Sequence, residues 1–306
     1  MTDRLPPGIS GIHVLPAEHH DGPWDSIITP SSFKERLLGT AMLILRHGRR
    51  LQQLSGAPHG LVVLAGPPGT GKSTLCQGLA QVAALALSRR GATTFVEVDP
   101  HSFPSEMLGE SQRAIRQLFS DTLPELAARR PHTIVLIDEF ESLAVRRSTA
   151  SFETNPVDVH RATDAVLAGL DTLRASCPQL LLLATTNFAA AVDEAVLSRA
   201  DLLLQTALPD EDVLSRIIAG SLGELAMQWP DLSGLAEDGP LHTKLAQRCA
   251  GFDGRRARKM VLSAIAGHPD LAEDPGRLRA EELLTAADAA ARDQPPRPPA
   301  AMLADD

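Results

Sequence analysis

The chain has 306 residues, with 29 Lys and Arg against 38 Asp and Glu and a net charge of −9. At roughly 150 residues per domain, that length allows about two domains and a substantial core; 43% hydrophobic and 22% charged residues exclude disorder of the whole chain. The acidic balance gives no general attraction for a phosphate backbone, and 3% aromatics without a single Tyr leave little material for base stacking, so nucleic acid is not an expected partner.

Cys76, Cys177 and Cys249 are too few and too scattered for a disulfide framework or a CxxC metal site, and fit a reducing compartment. The ten histidines show no HExxH spacing; His101, His132 and His160 read as structural or surface residues. No apolar run approaches the roughly 18 residues of a membrane span, and MTDRLPPG at the start has no secretory layout. The expectation is a cytoplasmic protein with no membrane partner.

Residues 1–22, rich in Pro, Gly and His, carry no clear periodicity and read as a flexible or docked arm. Leu37, Leu38, Met42 and Leu45 set a helical spacing over about 33–51. Strands then alternate with helices. The strands are LVVLA at 61–65, TTFVEV at 93–98, TIVLI at 133–137, LLLLAT at 180–185 and LLLQTA at 202–207. Between them lie helices over about 71–90, 111–129 and 159–176. That pattern predicts an α/β fold, a parallel sheet flanked by helices, over 23–210. After Pro209 the strands stop, and helices over about 211–229, 241–249, 254–266 and 280–292 predict a small all-helical domain at 211–292. The Pro-rich tail 293–306 reads as disordered.

GPPGTGKST at 66–74 fits G-x-x-x-x-G-K-[ST] between a strand and a helix. The candidate nucleotide-binding residues are Gly66, Pro67, Pro68, Gly69, Thr70, Gly71, Lys72, Ser73 and Thr74. Glycines let the backbone turn its N–H groups around phosphates at a helix N-terminus, Lys72 would neutralise the β and γ oxygens, and the Ser73 hydroxyl would ligate Mg²⁺. ATP and Mg²⁺ are therefore the expected cofactors. Some 65 residues on, IVLIDE ends a strand with two carboxylates. Asp138 would hold the Mg²⁺ directly or through water, and Glu139 would polarise the attacking water. Asn187, at the tip of the next strand in LLLLATTN, would orient that water, because ligands of a parallel sheet gather at the carboxyl ends of its strands.

GPPGTGK, LIDE and TTN in this order resemble the AAA+ ATPases. More narrowly, WDSIITPSSFKERLL at 24–38, HSFPSEMLGES at 101–111, LIDEFESL at 136–143, DVHRATDAVLAGLD at 158–171, SRADLLLQ at 198–205 and GFDGRRARK at 251–259 resemble the pachytene-checkpoint ATPases, Pch-two and Trip-thirteen. That resemblance implies a homo-hexameric remodeller opening HORMA-domain proteins. Only about 22 residues precede the match, as in a short bacterial branch tied to HORMA proteins and a cyclic-oligonucleotide synthase in antiphage signalling (CBASS), where the ATPase restrains the signal.

By the same resemblance Arg199 is an arginine finger reaching a neighbour's γ-phosphate, and Arg255 a second sensor closing the helical lid. Without it, Arg255, Arg256, Arg258 and Lys259 are also a plain solvated helix face. Met107, Leu108 and Gly109 match the substrate-gripping pore loop, or else form a hydrophobic lead into the next helix; 146–158 matches the second pore loop. Loader or initiator ATPases acting on nucleic acid share the core motifs, but the −9 charge and scarce aromatics weigh against them.

Overall fold

The computed structural model describes residues 5–17, 24–103, 110–144 and 156–293. The chain divides into two compact units, Met1–Ala207 and Leu208–Asp306.

The first unit runs β1 (Ile9–Leu15), α1 (Ser31–Leu51), β2 (Leu61–Ala65), α2 (Lys72–Leu87), β3 (Thr93–Val98), α3 (Glu110–Gln117), α4 (Leu123–Ala128), β4 (His132–Ile137), α5 (Pro156–Ser176), β5 (Leu180–Thr186), α6 (Glu194–Leu197) and β6 (Ala200–Gln205). A π-helical turn at Leu118–Thr122 joins α3 to α4, so the single helix expected over 111–129 is interrupted. The sheet order is β1-β3-β4-β5-β2-β6. The five strands read from the sequence are all parallel, and β1 adds an antiparallel edge against β3.

That edge docks part of 1–22 on the sheet as a strand, which the sequence reading of a flexible or docked arm did not specify. In ISGIHVL apolar residues fall on both faces, Ile9 and Leu15 buried and Val14 exposed, so no two-residue alternation announces the strand. Its pairing comes from β3, whose open edge supplies the hydrogen bonds.

The central strands read as continuous apolar runs because both faces are covered. Neighbouring residues nonetheless serve opposite cores. Leu61 and Val63 pack with Phe119, Phe140, Val166 and Leu170 on one face, while Val62 and Leu64 pack with Leu37, Ile44, Leu75 and Leu79 on the other. In α1 the buried residues Leu37, Ala41, Ile44, Leu45 and Gly48 recur at helical spacing. In α2 the small buried residues Ala80, Ala83 and Ala84 pack in the second of these cores, while Gly78 lets the backbone of Trp24 come close to the helix.

The second unit is helical: α7 (Glu211–Gln228), α8 (Ser233–Ala236), α9 (Gly239–Arg248), α10 (Gly254–Ala266), α11 (Pro269–Glu273) and α12 (Ala280–Arg292). Three of these helices start on an aspartate cap. Asp210, Asp238 and Asp253 accept hydrogen bonds from the N–H of Val213, Leu241 and Arg256, supplying partners the first turn lacks. Leu214, Ile218, Leu222, Leu245, Val261 and Leu283 form its interior. Among the described residues no helix is long and apolar enough to cross a membrane.

Candidate nucleotide site

The residues singled out in the first unit converge at the carboxyl ends of β2, β4 and β5. The phosphate loop leaves β2 at Gly66, whose N–H donates to Thr186 O of β5 at 3.1 Å. Gly66 has φ 146, and a Cβ there would stand 2.3 Å from both the carbonyl oxygen and Oγ1 of Thr206, so this position admits only glycine. Thr70 Oγ1 lies 2.9 Å from Pro67 O and 2.8 Å from Thr206 Oγ1, folding the loop back on itself beside the end of β6. Pro68 is exposed, and Gly69 and Thr74 are half-buried. Gly71, at φ 84, caps α2, which puts the helix N-terminus under the loop.

Lys72 is buried, 6% exposed. Its Nζ donates to Gly66 O at 2.8 Å, Pro67 O at 2.9 Å and Asn187 Oδ1 at 3.0 Å. The ammonium is thus held over the loop, where phosphate oxygens would compete for the same donors. Asn187 therefore meets Lys72 directly, and its own N–H donates to Glu141 Oε1 at 3.1 Å.

Ser73 Oγ lies 2.8 Å and 2.9 Å from the two carboxylate oxygens of Asp138, one hydroxyl proton shared between them. Thr185 Oγ1 donates to Asp138 Oδ1 from β5 and accepts the Glu139 N–H at 3.3 Å. A hydroxyl and a carboxylate converging across strand and helix are a hard oxygen donor set, which fits Mg²⁺. Glu139 is the non-glycine residue with positive φ, 51, among those described. A left-handed residue there costs on the order of 1–2 kcal/mol and turns the chain sharply out of β4.

Arg199 stands apart from this convergence within the first unit, and Arg255 belongs to the second unit. Arg199 follows α6 and binds Asp171 at the end of α5 through Nε at 2.9 Å and Nη2 at 3.0 Å. Arg255 is exposed in the first turn of α10 in the second unit, while Arg256 stacks on Phe252 at 4.2 Å and donates to Ala290 O. Met107, Leu108 and Gly109 lie outside the described residues, as does most of 146–158.

Asp201 and Glu141 were not singled out by the sequence, and His101 was read differently. Asp201 accepts the N–H groups of His59, Gly60 and Leu61 at 3.0, 2.7 and 3.0 Å, tying the start of β6 to the start of β2 two residues beyond Arg199. Glu141 braces Asn187 as described. His101, read as a structural or surface residue, is exposed but stands 2.7 Å from Glu139. For all three, pairing with residues distant in the chain left no signal in the sequence.

The family described as "ATPase family associated with various cellular activities (AAA)" matches residues 62–208. CD-NTase-associated protein 6 of Pseudomonas aeruginosa is 42% identical over 282 residues, 92% of either chain. A pachytene checkpoint protein 2 homolog of Arabidopsis thaliana is 31% identical over 89% of this chain and 65% of its own length, so the chain spans about two thirds of that relative. Two solved structures share the fold. One is C. elegans PCH-2, with a TM-score of 0.74 and 24% identity over 94% of this chain and 76% of that one. The other is a chain from the E. coli MS115-1 HORMA:CdnC:Trip13 complex, with a TM-score of 0.72 and 19% identity over 95% and 96%.

Proposed function

The chain belongs to the AAA family of ATPases, alongside the CD-NTase-associated and pachytene checkpoint proteins it resembles, and on that premise we propose that it spends ATP on taking apart complexes of a HORMA-domain protein. The observation that carries the chemistry is the meeting of Lys72, Ser73, Asp138 and Asn187 at one end of the sheet. The partner reading is supported by the relative whose name ties it to a CD-NTase, 42% identical over 92% of both chains, and by the fold shared with a chain of a HORMA:CdnC:Trip13 complex.

ATP would lay its phosphates in the turn from Gly66 to Gly71, with the N-terminus of α2 and Lys72 opposing their charge. Ser73 and Asp138 would hold Mg²⁺, which when bound neutralises charge on the β and γ oxygens. Glu139 takes a proton from the water that attacks the γ-phosphorus, the bond to the β–γ bridging oxygen breaks, and ADP and phosphate leave. Asn187 orients that water, and Lys72 gives up its bond to Asn187 Oδ1 when phosphates arrive.

The chain would act as a ring of six, with Arg199 completing a neighbour's site and Arg255 linking nucleotide state to the helical unit. Met107 and Leu108 would grip the substrate. In a signalling setting this activity restrains a cyclic-oligonucleotide synthase by removing its HORMA activator.

The test is to mix the purified chain with a HORMA protein bound to such a synthase. ATP-dependent release of the HORMA protein is expected, with ATPase stimulated by that protein and not by single-stranded DNA. Stimulation by DNA alone would favour the loader class instead.

A further inference from the structure

Asp201 interrupts the ladder that joins β6 to β2. Leu61 pairs with Ala200 and Val62 with Leu202, so Asp201 is an extra residue on β6 with no opposite number on β2. Bulges are uncommon between parallel strands, and where they occur they re-aim a nearby side chain. Asp201 turns its carboxylate onto the entry of β2, where Oδ1 accepts the N–H of His59 at 3.0 Å and Oδ2 those of Gly60 and Leu61 at 2.7 and 3.0 Å. Three successive N–H groups curled around one carboxylate form an anion-binding nest. Gly60 makes the curl possible: its φ is 81, and a Cβ would stand 2.6 Å from Leu180 O. Its carbonyl accepts the Leu182 N–H at 2.7 Å, which ties the same turn to β5.

Arg199 stands two residues before this anchor. Its side chain is held by Asp171 of α5, and one turn further along that helix Arg174 Nη1 lies 3.2 Å from His59 Nε2. A guanidinium only donates, so Nε2 accepts and the imidazole is neutral. Burial, with Arg174 second, pushes His59 down from its ordinary value, in keeping with that state. The His59 N–H belongs in turn to the Asp201 nest. Root and tip of Arg199 are thus both referred to the entry of β2, through a closed chain of Asp171, Arg174, His59 and Asp201. Asp201 is exposed, so water can serve the N–H groups if the carboxylate is lost. What the anchor fixes is direction more than stability.

Resting on the reading of Arg199 as a finger that acts on a neighbour, we propose that Asp201 is a positioning residue for it. The bulge and the three-point anchor hold the backbone at the root of Arg199 while its side chain leaves Asp171 for a phosphoryl group. Only side-chain torsions then change, and the guanidinium arrives by one path. Loosening the anchor lets the root shift, and misplacement by about 1 Å costs on the order of 10²-fold in rate even when the cause lies far from the chemistry. The effect falls on the neighbour's site and not on the subunit's own phosphate loop, although β2 leads directly into that loop.

The experiment is ATPase complementation with the full chain, with nucleotide binding and assembly measured alongside. In Asp201→Asn an amide N–H faces backbone N–H groups, so the nest loses acceptors while the side chain keeps its shape. Alone, this variant should lower kcat about 10- to 100-fold with KM and nucleotide affinity unchanged. Mixed before assembly with Lys72→Ala subunits, which bring a whole finger, it should recover turnover above that of either variant. Mixed with Arg199→Ala subunits it should not, because every finger is then missing or misdirected. The reverse pattern would place the defect in the subunit's own loop and overturn the proposal, and so would a wild-type kcat. Asp201→Glu keeps the charge but moves it along the side chain, and should show the same pattern more weakly. If neither variant folds and assembles, Asp201 serves the fold alone and the proposal fails. Arg199→Ala mixed with Lys72→Ala separates the two readings. If that pair does not recover, the finger itself is misread; if it recovers and Asp201→Asn with Lys72→Ala does not, only the positioning role is wrong.

Discussion

Arg199 and Asp171 form a two-pronged pair, Nε to one carboxylate oxygen at 2.9 Å and Nη2 to the other at 3.0 Å, while Nη1 donates to Ala195 O at 2.9 Å. Every guanidinium nitrogen is therefore occupied within the subunit. The arginine's hydrogen bond holds the Asp171 carboxyl below its ordinary range, so the pair persists at any mildly acidic pH and dissolves only as pH falls below that of a free aspartate. Its geometry is the one a planar fork offers to a phosphoryl group.

From this follows the first prediction. Arg199→Ala should lower kcat on the order of 10³-fold with nucleotide affinity retained, and Arg199→Lys should fare almost as badly because an ammonium cannot span two oxygens. The Asp171 side chain is 52% exposed, so the pair adds little to fold stability; both variants should melt within about 2 °C of wild type. A lysine variant with more than half the wild-type rate would show that only charge is needed at this position.

A second prediction concerns the loop rather than the charges in it. Gly66→Ala places a methyl group against the backbone carbonyl and hydroxyl of Thr206. Nothing there is a flexible side-chain end, so either the loop or the end of β6 must shift. The expected outcome is a stability loss on the order of 2 kcal/mol, read by thermal denaturation, together with loss of nucleotide binding. Wild-type affinity would mean that the loop does not approach its ligand through this turn.

The parallel strands were legible because each is a short apolar run between helical patterns, and β2 and β3 match their expected ends residue for residue. The turn from Gly66 to Gly71 between β2 and α2 was legible because its glycine spacing serves backbone geometry that few other sequences need. β1 was not, since a strand recruited by an open sheet edge takes its hydrogen bonds from β3 whatever its own pattern. The role of Asp201 was hidden for a related reason. Its three N–H partners lie about 140 residues away in the chain, and only the parallel pairing of β6 with β2 brings them within reach.

A third prediction comes from His132, buried at the start of β4 with Nδ1 lacking a hydrogen-bond partner. Desolvation, with Arg90 and Arg46 adding, lowers its imidazole from the ordinary value of 6.5. A group whose folded value is depressed contributes stability that is complete above the unfolded value and lost as pH falls through the folded one. Melting temperature should therefore drop from pH 7 toward pH 5, and His132→Gln should make that drop shallower by about 2–4 °C. His59 is lowered as well, chiefly by burial with Arg174 second, so some of the slope should remain. An unchanged slope in the variant would remove His132 from the account.

The last prediction tests whether the site is completed by a second subunit. Lys72→Ala removes the cation that the loop itself contributes, held by Gly66, Pro67 and Asn187, and should abolish ATP binding. Arg199→Ala leaves that loop intact and removes the residue proposed to reach a neighbour. Each variant alone should be nearly inactive, for different reasons. Mixed before assembly, an Arg199→Ala subunit with a whole phosphate loop can sit beside a Lys72→Ala subunit with a whole finger, and that junction has everything hydrolysis needs. Turnover should therefore reappear in the mixture, rise to a maximum near equal proportions and vanish at either extreme. It should also vanish if the two variants are assembled separately and mixed without exchange, which separates a shared site from incomplete inactivation. If no proportion restores turnover although mixed assemblies form, Arg199 acts inside its own subunit, and the pair with Asp171 is structural.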